Sequence, residues 1–285
     1  MNASKRESGP LAPPSTQKSS NFYLGFLFLS KRRREALEAV YAFARHVDDI
    51  VDSGALAEPE ARKELDFWRK EITRLMGGEP THPIAKRLHP FVEEFGLPEE
   101  GFRALLEGME MDLDKKRYGT FADLEKYLFG AAGSVGLLCV EIFGHRHTPP
   151  EDLRRYAIGM GNALQLTNIL RDVGADLERG RIYLPIEDIR KAGYSQKDLV
   201  ARDHTPAFER LMALEYERAK GFYREARDCL HAKDRAAMLP AEVMAHVYED
   251  ILEKIRAGGY RVFFHRYRLS VWRKVWLALK AWAAA

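Results

Sequence analysis

The 285-residue chain predicts an all-α fold, a single antiparallel helical bundle, and three observations carry that expectation. Apolar residues recur at spacings of three and four in nearly every segment, the period of a helix with one buried face. No segment shows the strict alternation of a half-buried strand. Gly and Pro mark many boundaries of the periodic stretches, with Pro59 near a first turn and Gly77-Gly78, Gly96 and Gly144 at ends. A bundle of roughly eight to ten helices follows.

The first helix is expected at 31–53, where Leu37, Val40, Tyr41, Ala44, Val47 and Val51 fall on related faces. The second, 59–76, opens on Pro59 and is stopped by Gly77 and Gly78. The third runs from His82 to Phe95 and ends at Gly96. The fourth runs from Pro98 to about Lys116. The fifth, Thr120 to Phe143, starts on the capping pattern TFADLEK and closes at Gly144. The sixth, Glu151 to about Asp176, leads into the loop Glu178-Arg179-Gly180-Arg181 and the extended IYLP. Pro185, Pro206 and Pro240 mark the helices that fill the remainder.

Composition places the chain among soluble globular proteins with a sizeable core, at 46% hydrophobic and 31% charged residues. No interior linker divides it, so residues 21–285 read as one domain behind a polar, mobile tail at 1–20. The apolar run FYLGFLFLS at 22–30 is short, follows that tail and precedes Lys31-Arg32-Arg33-Arg34, which argues against a secretory leader. No stretch reads as a membrane span of ~20 apolar residues. Cys139 and Cys229 suggest neither a disulfide framework nor a zinc site, so a reducing cytoplasm is expected. The net charge of +3 is uneven. Residues 260–285 hold six Lys and Arg and no acid, so the other residues together carry −3. That balance excludes a general nucleic-acid binder.

Two Asp-x-x-x-Asp pairs carry the chemistry. On the first helix Tyr41, Arg45, Asp48 and Asp52 form one polar stripe, and on the sixth Gln165, Asn168, Asp172 and Asp176 form another with Arg171 beside it. Apolar neighbours flank both stripes, so the carboxylates need a cation or hydrogen-bond partners. Magnesium suits them, because it takes oxygen ligands and bridges carboxylates to phosphate. Several Mg2+ ions on two facing stripes would hold a diphosphate, with Arg45 and Arg171 adding charge-assisted hydrogen bonds. Asp49 lies off the stripe and receives no role. Glu178 and Arg179 are compatible with site residues or plain loop charges and are not counted among the candidate site residues.

The fifth helix contains Gly130-Ala131-Ala132-Gly133-Ser134-Val135-Gly136. With no strand before it and the wrong spacing, this is not a dinucleotide fingerprint. Close helix packing and a smooth wall for a long apolar ligand are both compatible with it. Tyr127, one turn earlier, is placed to turn its ring or phenol toward such a ligand.

At these residues the chain resembles the squalene/phytoene synthase family of head-to-head prenyl transferases. The matching motifs are YAFARHVDDIVD (41–52), MDLDKKRYGTF (111–121), YLFGAAGSVG (127–136) and QLTNILRDVGADLERGRIYLP (165–185). The resemblance implies an isoprenoid-synthase helical bundle with aspartates at the mouth of a deep apolar cavity. It implies metal ligation by Asp48, Asp52, Asp172 and Asp176, and diphosphate contacts from Arg45, Gln165, Asn168 and Arg171. It implies substrate-side aromatic residues at Phe22, Tyr41, Tyr127 and Tyr183. The looser N-terminal match SSNFYLGF adds Ser19, Ser20 and Phe22 to the substrate-binding set. The C-terminal stretch is most like bacterial presqualene diphosphate synthases of hopanoid pathways. The implied leading activity is therefore condensation of two farnesyl diphosphates to presqualene diphosphate, with squalene as a further product. Phytoene or dehydrosqualene synthesis is the alternative. NADPH use is left open, since reductive family members also lack a Rossmann domain.

Residues 260–283 mix basic and aromatic side chains, with Trp272, Val275, Trp276, Leu279 and Trp282 on one helical face. A helix docked on the body and a peripheral membrane contact are both compatible with this pattern. Rival readings are weaker. A non-catalytic assembly protein with this fold would be expected to lose acids from the two pairs. A di-iron bundle wants Glu-x-x-His on two helices, and an EF-hand wants alternating ligands that DVGADLERG lacks. Cyclising terpene synthases and chain-elongating transferases carry different second motifs.

Overall fold

The computed structural model describes residues 25, 28–52, 56–114 and 117–284, and every regular element among them is helical. The tail at 1–20 and the candidate residues Ser19, Ser20 and Phe22 lie outside the described residues. The helices are α1 (Lys31–Asp52), α2 (Glu58–Met76), α3 (Pro83–Phe95), α4 (Glu99–Asp114), α5 (Phe121–Leu128), α6 (Ser134–Phe143) and α7 (Pro150–Glu178). After them come α8 (Ile186–Lys191), α9 (Gln196–Ala201), α10 (Pro206–Cys229), α11 (Leu239–Ala257) and α12 (Val271–Ala284). These exceed the number expected from periodicity for two reasons. Helices α8 and α9 are too short for a 3.6-residue pattern to register. The stretch expected as one helix over Thr120–Phe143 is split by a π-helical turn, Phe129–Gly133.

Local chemistry explains the boundaries. Thr120 caps α5 by accepting from the Asp123 backbone N–H at 3.2 Å, while the Asp123 carboxylate accepts from the Thr120 N–H at 3.2 Å. Helix α3 stops at Gly96, whose φ of 64° suits a residue without a side chain. Pro206 sits in the first turn of α10, where its missing N–H costs nothing.

Helix α7 forms the axis of the bundle. It is buried on several sides, through Leu153, Tyr156, Met160, Leu166 and Leu170 among others. Helix α10 packs along it, and the π turn, α6 and α11 pack against its other faces. Glycine makes the closest of these approaches possible. A Cβ at Gly161 would lie 2.6 Å from the Ala132 carbonyl oxygen, and one at Gly108 would lie 2.6 Å from the Gly130 carbonyl carbon. Gly136 sits against the Ala157 backbone in the same way. Together Phe121–Phe143 form a 23-residue run long and apolar enough to cross a membrane by composition, contrary to expectation. Most of it is buried in the bundle, where it forms a wall of the cavity described next.

A candidate active site at the mouth of an apolar cavity

A cavity of about 300 Å³ lies between α1, the π turn and α6, α7 and α11. Its walls are mostly small or apolar: Ala131, Val135, Gly136, Cys139, Met160 and Leu164 are among them. The glycine-rich segment thus serves both of its expected roles, since Gly136 packs on α7 and also lines the cavity. Tyr41, Gln165 and Asn168 lie in the lining as well, on the two polar stripes. Asn168 donates to the Gln165 side-chain oxygen at 3.3 Å, while its own buried oxygen has no partner. That amide is available to a polar group entering the cavity.

One to two helical turns beyond these residues the aspartates begin. Arg45 pairs with Asp48 at 3.0 Å and with Asp49 at 2.6 Å, so Asp49 shares the arginine of the stripe. Across the mouth Arg171 holds Asp172 at 2.9 and 2.5 Å. The two walls meet through a residue the sequence left in a loop. Arg181, largely buried, binds Asp52 at 2.6 Å. Its charge is also felt by Asp48, Asp112 and Asp176. Arg179 reaches Asp52 at 3.6 Å.

The loop after α7 is held in place by backbone contacts. Arg117 donates to the Gly180 carbonyl at 2.7 Å, and the Ile186 N–H donates to the Tyr118 carbonyl at 3.0 Å. This strap brings Tyr183 beside Tyr127. Both hydroxyls donate to the buried carboxylate of Asp112, at 2.8 and 3.0 Å, and their rings stack with centroids 5.0 Å apart. Tyr127 and Tyr183 therefore face Asp112 between the acidic walls, and neither belongs to the lining of the apolar cavity. A buried phenol requires an acceptor, and Asp112 provides it.

Electrostatics separates the carboxylates into two kinds. Burial, then repulsion from Asp52, pushes Asp48 up to about 6. Burial, then repulsion from Asp172, pushes Asp176 up to about 7. Asp112 rises to about 6 for the same leading reason, burial. Asp172 moves down instead. Burial opposes that direction, but Arg171 and Arg266 outweigh it. Arg266, from the loop after α11, grips Asp172 at 2.8 and 3.0 Å. It reaches there because the Phe263 backbone packs directly on Gly174 of α7, where a side chain would collide.

The donor set fits magnesium. It is all oxygen, and at Asp48 and Asp176 burial and a neighbouring carboxylate outweigh the arginines beside them. Among the described residues no three His, Cys, Asp or Glu side chains converge closely enough to hold an ion by themselves. Magnesium tolerates that, because it commonly takes one or two carboxylates and completes its shell with water and substrate phosphate.

Sequence reasoning missed Asp112, Arg181 and Arg266. Asp112 carried a signal: Phe102, Leu105 and Met109 descend one buried stripe of α4 at steps of three and four, and Asp112 continues it. Arg181 and Arg266 carried none, since each acts across a tertiary contact.

An apolar cavity closed by acidic helices and arginines defines a protein that takes a long greasy chain with an anionic head. The squalene/phytoene synthase family profile matches residues 15–274, and the chain belongs to that family. It is 35% identical to the 15-cis-phytoene synthase of Synechocystis sp. (strain ATCC 27184 / PCC 6803 / Kazusa), over 95% of this chain and 83% of that protein. It is also 35% identical to the 15-cis-phytoene synthase of Synechococcus elongatus, over 90% of this chain and 86% of that one. Among solved structures, a dehydrosqualene synthase in complex with ligand superposes with a TM-score of 0.83 at 29% identity, covering 94% of this chain and 93% of that one. Squalene synthase HpnC from Alicyclobacillus acidocaldarius superposes with a TM-score of 0.78 at 33% identity, covering 87% and 92%. The isoprenoid-synthase fold expected from the motifs is thereby established, and the chain is a prenyl transferase of the squalene/phytoene type.

Proposed function

We propose that the chain joins two identical allylic diphosphates head to head, and that the substrate is geranylgeranyl diphosphate and the product phytoene. The observation that supports the condensation is the meeting of two acidic helices around Arg181 at the mouth of one apolar cavity. The relatives support the longer substrate, since the two cyanobacterial proteins are phytoene synthases along nearly the whole of this chain. This reverses the order drawn from the C-terminal resemblance, which put two farnesyl diphosphates and presqualene diphosphate first. That second reading is retained on one observation, the likeness to a squalene synthase structure at 33% identity.

Asp48, Asp52, Asp172 and Asp176 would hold magnesium together with diphosphate oxygens. Bound there, the metal neutralises the diphosphate and makes it a better leaving group. Arg45 and Arg171 stand beside these acids and donate to the same oxygens. When the C–O bond breaks, the electron pair leaves with the diphosphate and an allylic cation remains in the cavity. Ala131, Val135 and Leu164 keep water from it, and the Tyr41 ring offers a π face. The double bond of the second substrate attacks the cation, and loss of a proton closes a cyclopropane. Departure of the remaining diphosphate with its electron pair, rearrangement of the cyclopropylcarbinyl cation and loss of a second proton would then give phytoene without a reductant. Burial and Asp112 hold the Tyr127 and Tyr183 phenols well above their ordinary range, so both stay protonated. The released diphosphate is then the favoured proton acceptor.

Purified protein incubated with Mg2+ and either prenyl diphosphate, with and without NADPH, tests this by product mass. Phytoene from the C20 substrate is the expected result. Presqualene diphosphate or squalene from the C15 substrate would move the second reading to first. No coupled product from either substrate would overturn both.

A further inference from the structure

The C-terminal helix α12 has two opposite apolar faces, and the fold uses only one. Its inner face, Leu277, Ala278 and Ala281, is buried, with the two alanines against Leu239 and Val243 of α11. Its outer face carries Trp272, Val275, Trp276, Leu279 and Trp282 at steps of three, one, three and three. Trp272 is 83% exposed, Trp282 61% and Leu279 55%. Phe264, on the loop leading into α12, is exposed as well.

Cations border this ridge. Arg273 lies over the Trp276 ring at 4.5 Å, and Lys280 lies 5.8 Å from the same centroid. Arg261 and Arg268 are exposed nearby in sequence. Arg266 and Arg273 pair with Asp172 and Asp250, while Arg261, Arg268 and Lys280 are exposed to solvent. No Asp or Glu occurs in 260–285. A convex line of indoles with lysine and arginine beside it matches the boundary of an anionic bilayer, where indoles sit at headgroup level and cations meet lipid phosphate. A second protein copy is a poorer match, because a stable dimer wants ~20–30 residues a side, and this ridge is one side of one helix.

We propose that the outer face of α12 seats the protein on an anionic membrane surface, with Trp272, Trp276 and Trp282 as anchors. The helix behind it, α11, lines the apolar cavity through Ala241, Met244 and Tyr248. Membrane contact therefore falls on the back of the cavity wall, and it stands independently of which prenyl diphosphate is used.

The chain itself supplies the probe. It has four tryptophans, and the fourth, Trp68, is fully buried between α1 and α2. Vesicles of phosphatidylcholine, with and without phosphatidylglycerol, are added to the full-length protein. Co-sedimentation with the anionic vesicles alone, weakened by salt, is expected, together with a blue shift of emission and quenching by brominated lipid. Trp272→Ser, Trp276→Ser and Trp282→Ser combined should lower partitioning about tenfold or more. Lys280→Glu, which touches no packed face, should lower it about fivefold. Equal binding to both vesicle types, unquenched emission, or unchanged partitioning in both variants overturns the proposal. So does a concentration-dependent dimer that the serine variant abolishes while vesicle binding persists.

Discussion

Replacing Gly161 with alanine separates packing from helix propensity inside the site. Residue 161 lies mid-way along α7 and lines the cavity. In an open helix the change stabilises by about 1 kcal/mol. Here the new methyl would stand 2.6 Å from the Ala132 carbonyl oxygen and 2.7 Å from both the Ala132 carbonyl carbon and the Gly133 Cα. All three are backbone atoms of the π turn, so no side chain can swing aside. The clash is relieved only if α7 and the turn separate by roughly half an ångström, an overpacking cost of about 1–3 kcal/mol. The propensity gain of about 1 kcal/mol offsets part of that, leaving a net change between about zero and a loss of about 2 kcal/mol, or up to about 6 °C in Tm. Gln165, Asn168 and Asp172 ride on the displaced helix, so turnover should fall about tenfold to a hundredfold. Gly221→Ala on α10 is the matched control, since a methyl there meets nothing closer than the Glu225 carboxylate at 3.8 Å. It should gain about 1 kcal/mol and leave turnover unchanged. Urea denaturation and steady-state kinetics on both variants suffice. If Gly161→Ala stabilised as much as Gly221→Ala and kept full activity, the tight α7 contact would have no part in shaping the site.

Asp48→Ala or Asp172→Ala should abolish turnover by product assay with far-UV circular dichroism unchanged, because neither carboxylate supports the core. A chelator should likewise stop turnover without lowering Tm, since among the described residues no cluster of three ligands ties the metal to folding. Glu215 is fully buried between Arg218 and Asp188, and burial pushes it up to about 8. Its raised folded value means that its stabilising protonated form is fully present below pH ~4.5 and is lost as pH rises through about 8. Glu215→Gln should therefore flatten the fall in Tm between pH 5 and 9 and exceed the parent by a few kcal/mol at the alkaline end; parallel curves would contradict this. Asp112→Ala leaves the Tyr127 and Tyr183 hydroxyls without their acceptor, costing about 2–5 kcal/mol by urea denaturation. Asp112→Asn, which keeps one acceptor oxygen, should recover much of that stability.

The helices and both acidic stripes were legible because each depends on neighbours three or four residues away in sequence. Thr120, Gly96 and Pro206 mark boundaries for the same local reason. The helix split at Phe129–Gly133 was not legible. At the split Gly130 packs on Gly108 and Gly133 on the Asn162 side chain, partners more than twenty residues away. Tyr127 was expected at the apolar cavity but turned to Asp112, because a buried hydroxyl follows its acceptor and that acceptor sits on another helix.

By itself the sequence determined an all-α chain, two helical faces rich in aspartate, and a basic aromatic end. Those features follow from periodicity and residue type alone. The tertiary structure decided that the aspartate faces meet around Arg181, that Arg266 crosses 94 residues to reach Asp172, and that α12 leaves its tryptophans outside. A guanidinium's partner depends on how helices pack, and packing is a property of the whole bundle rather than of any one turn.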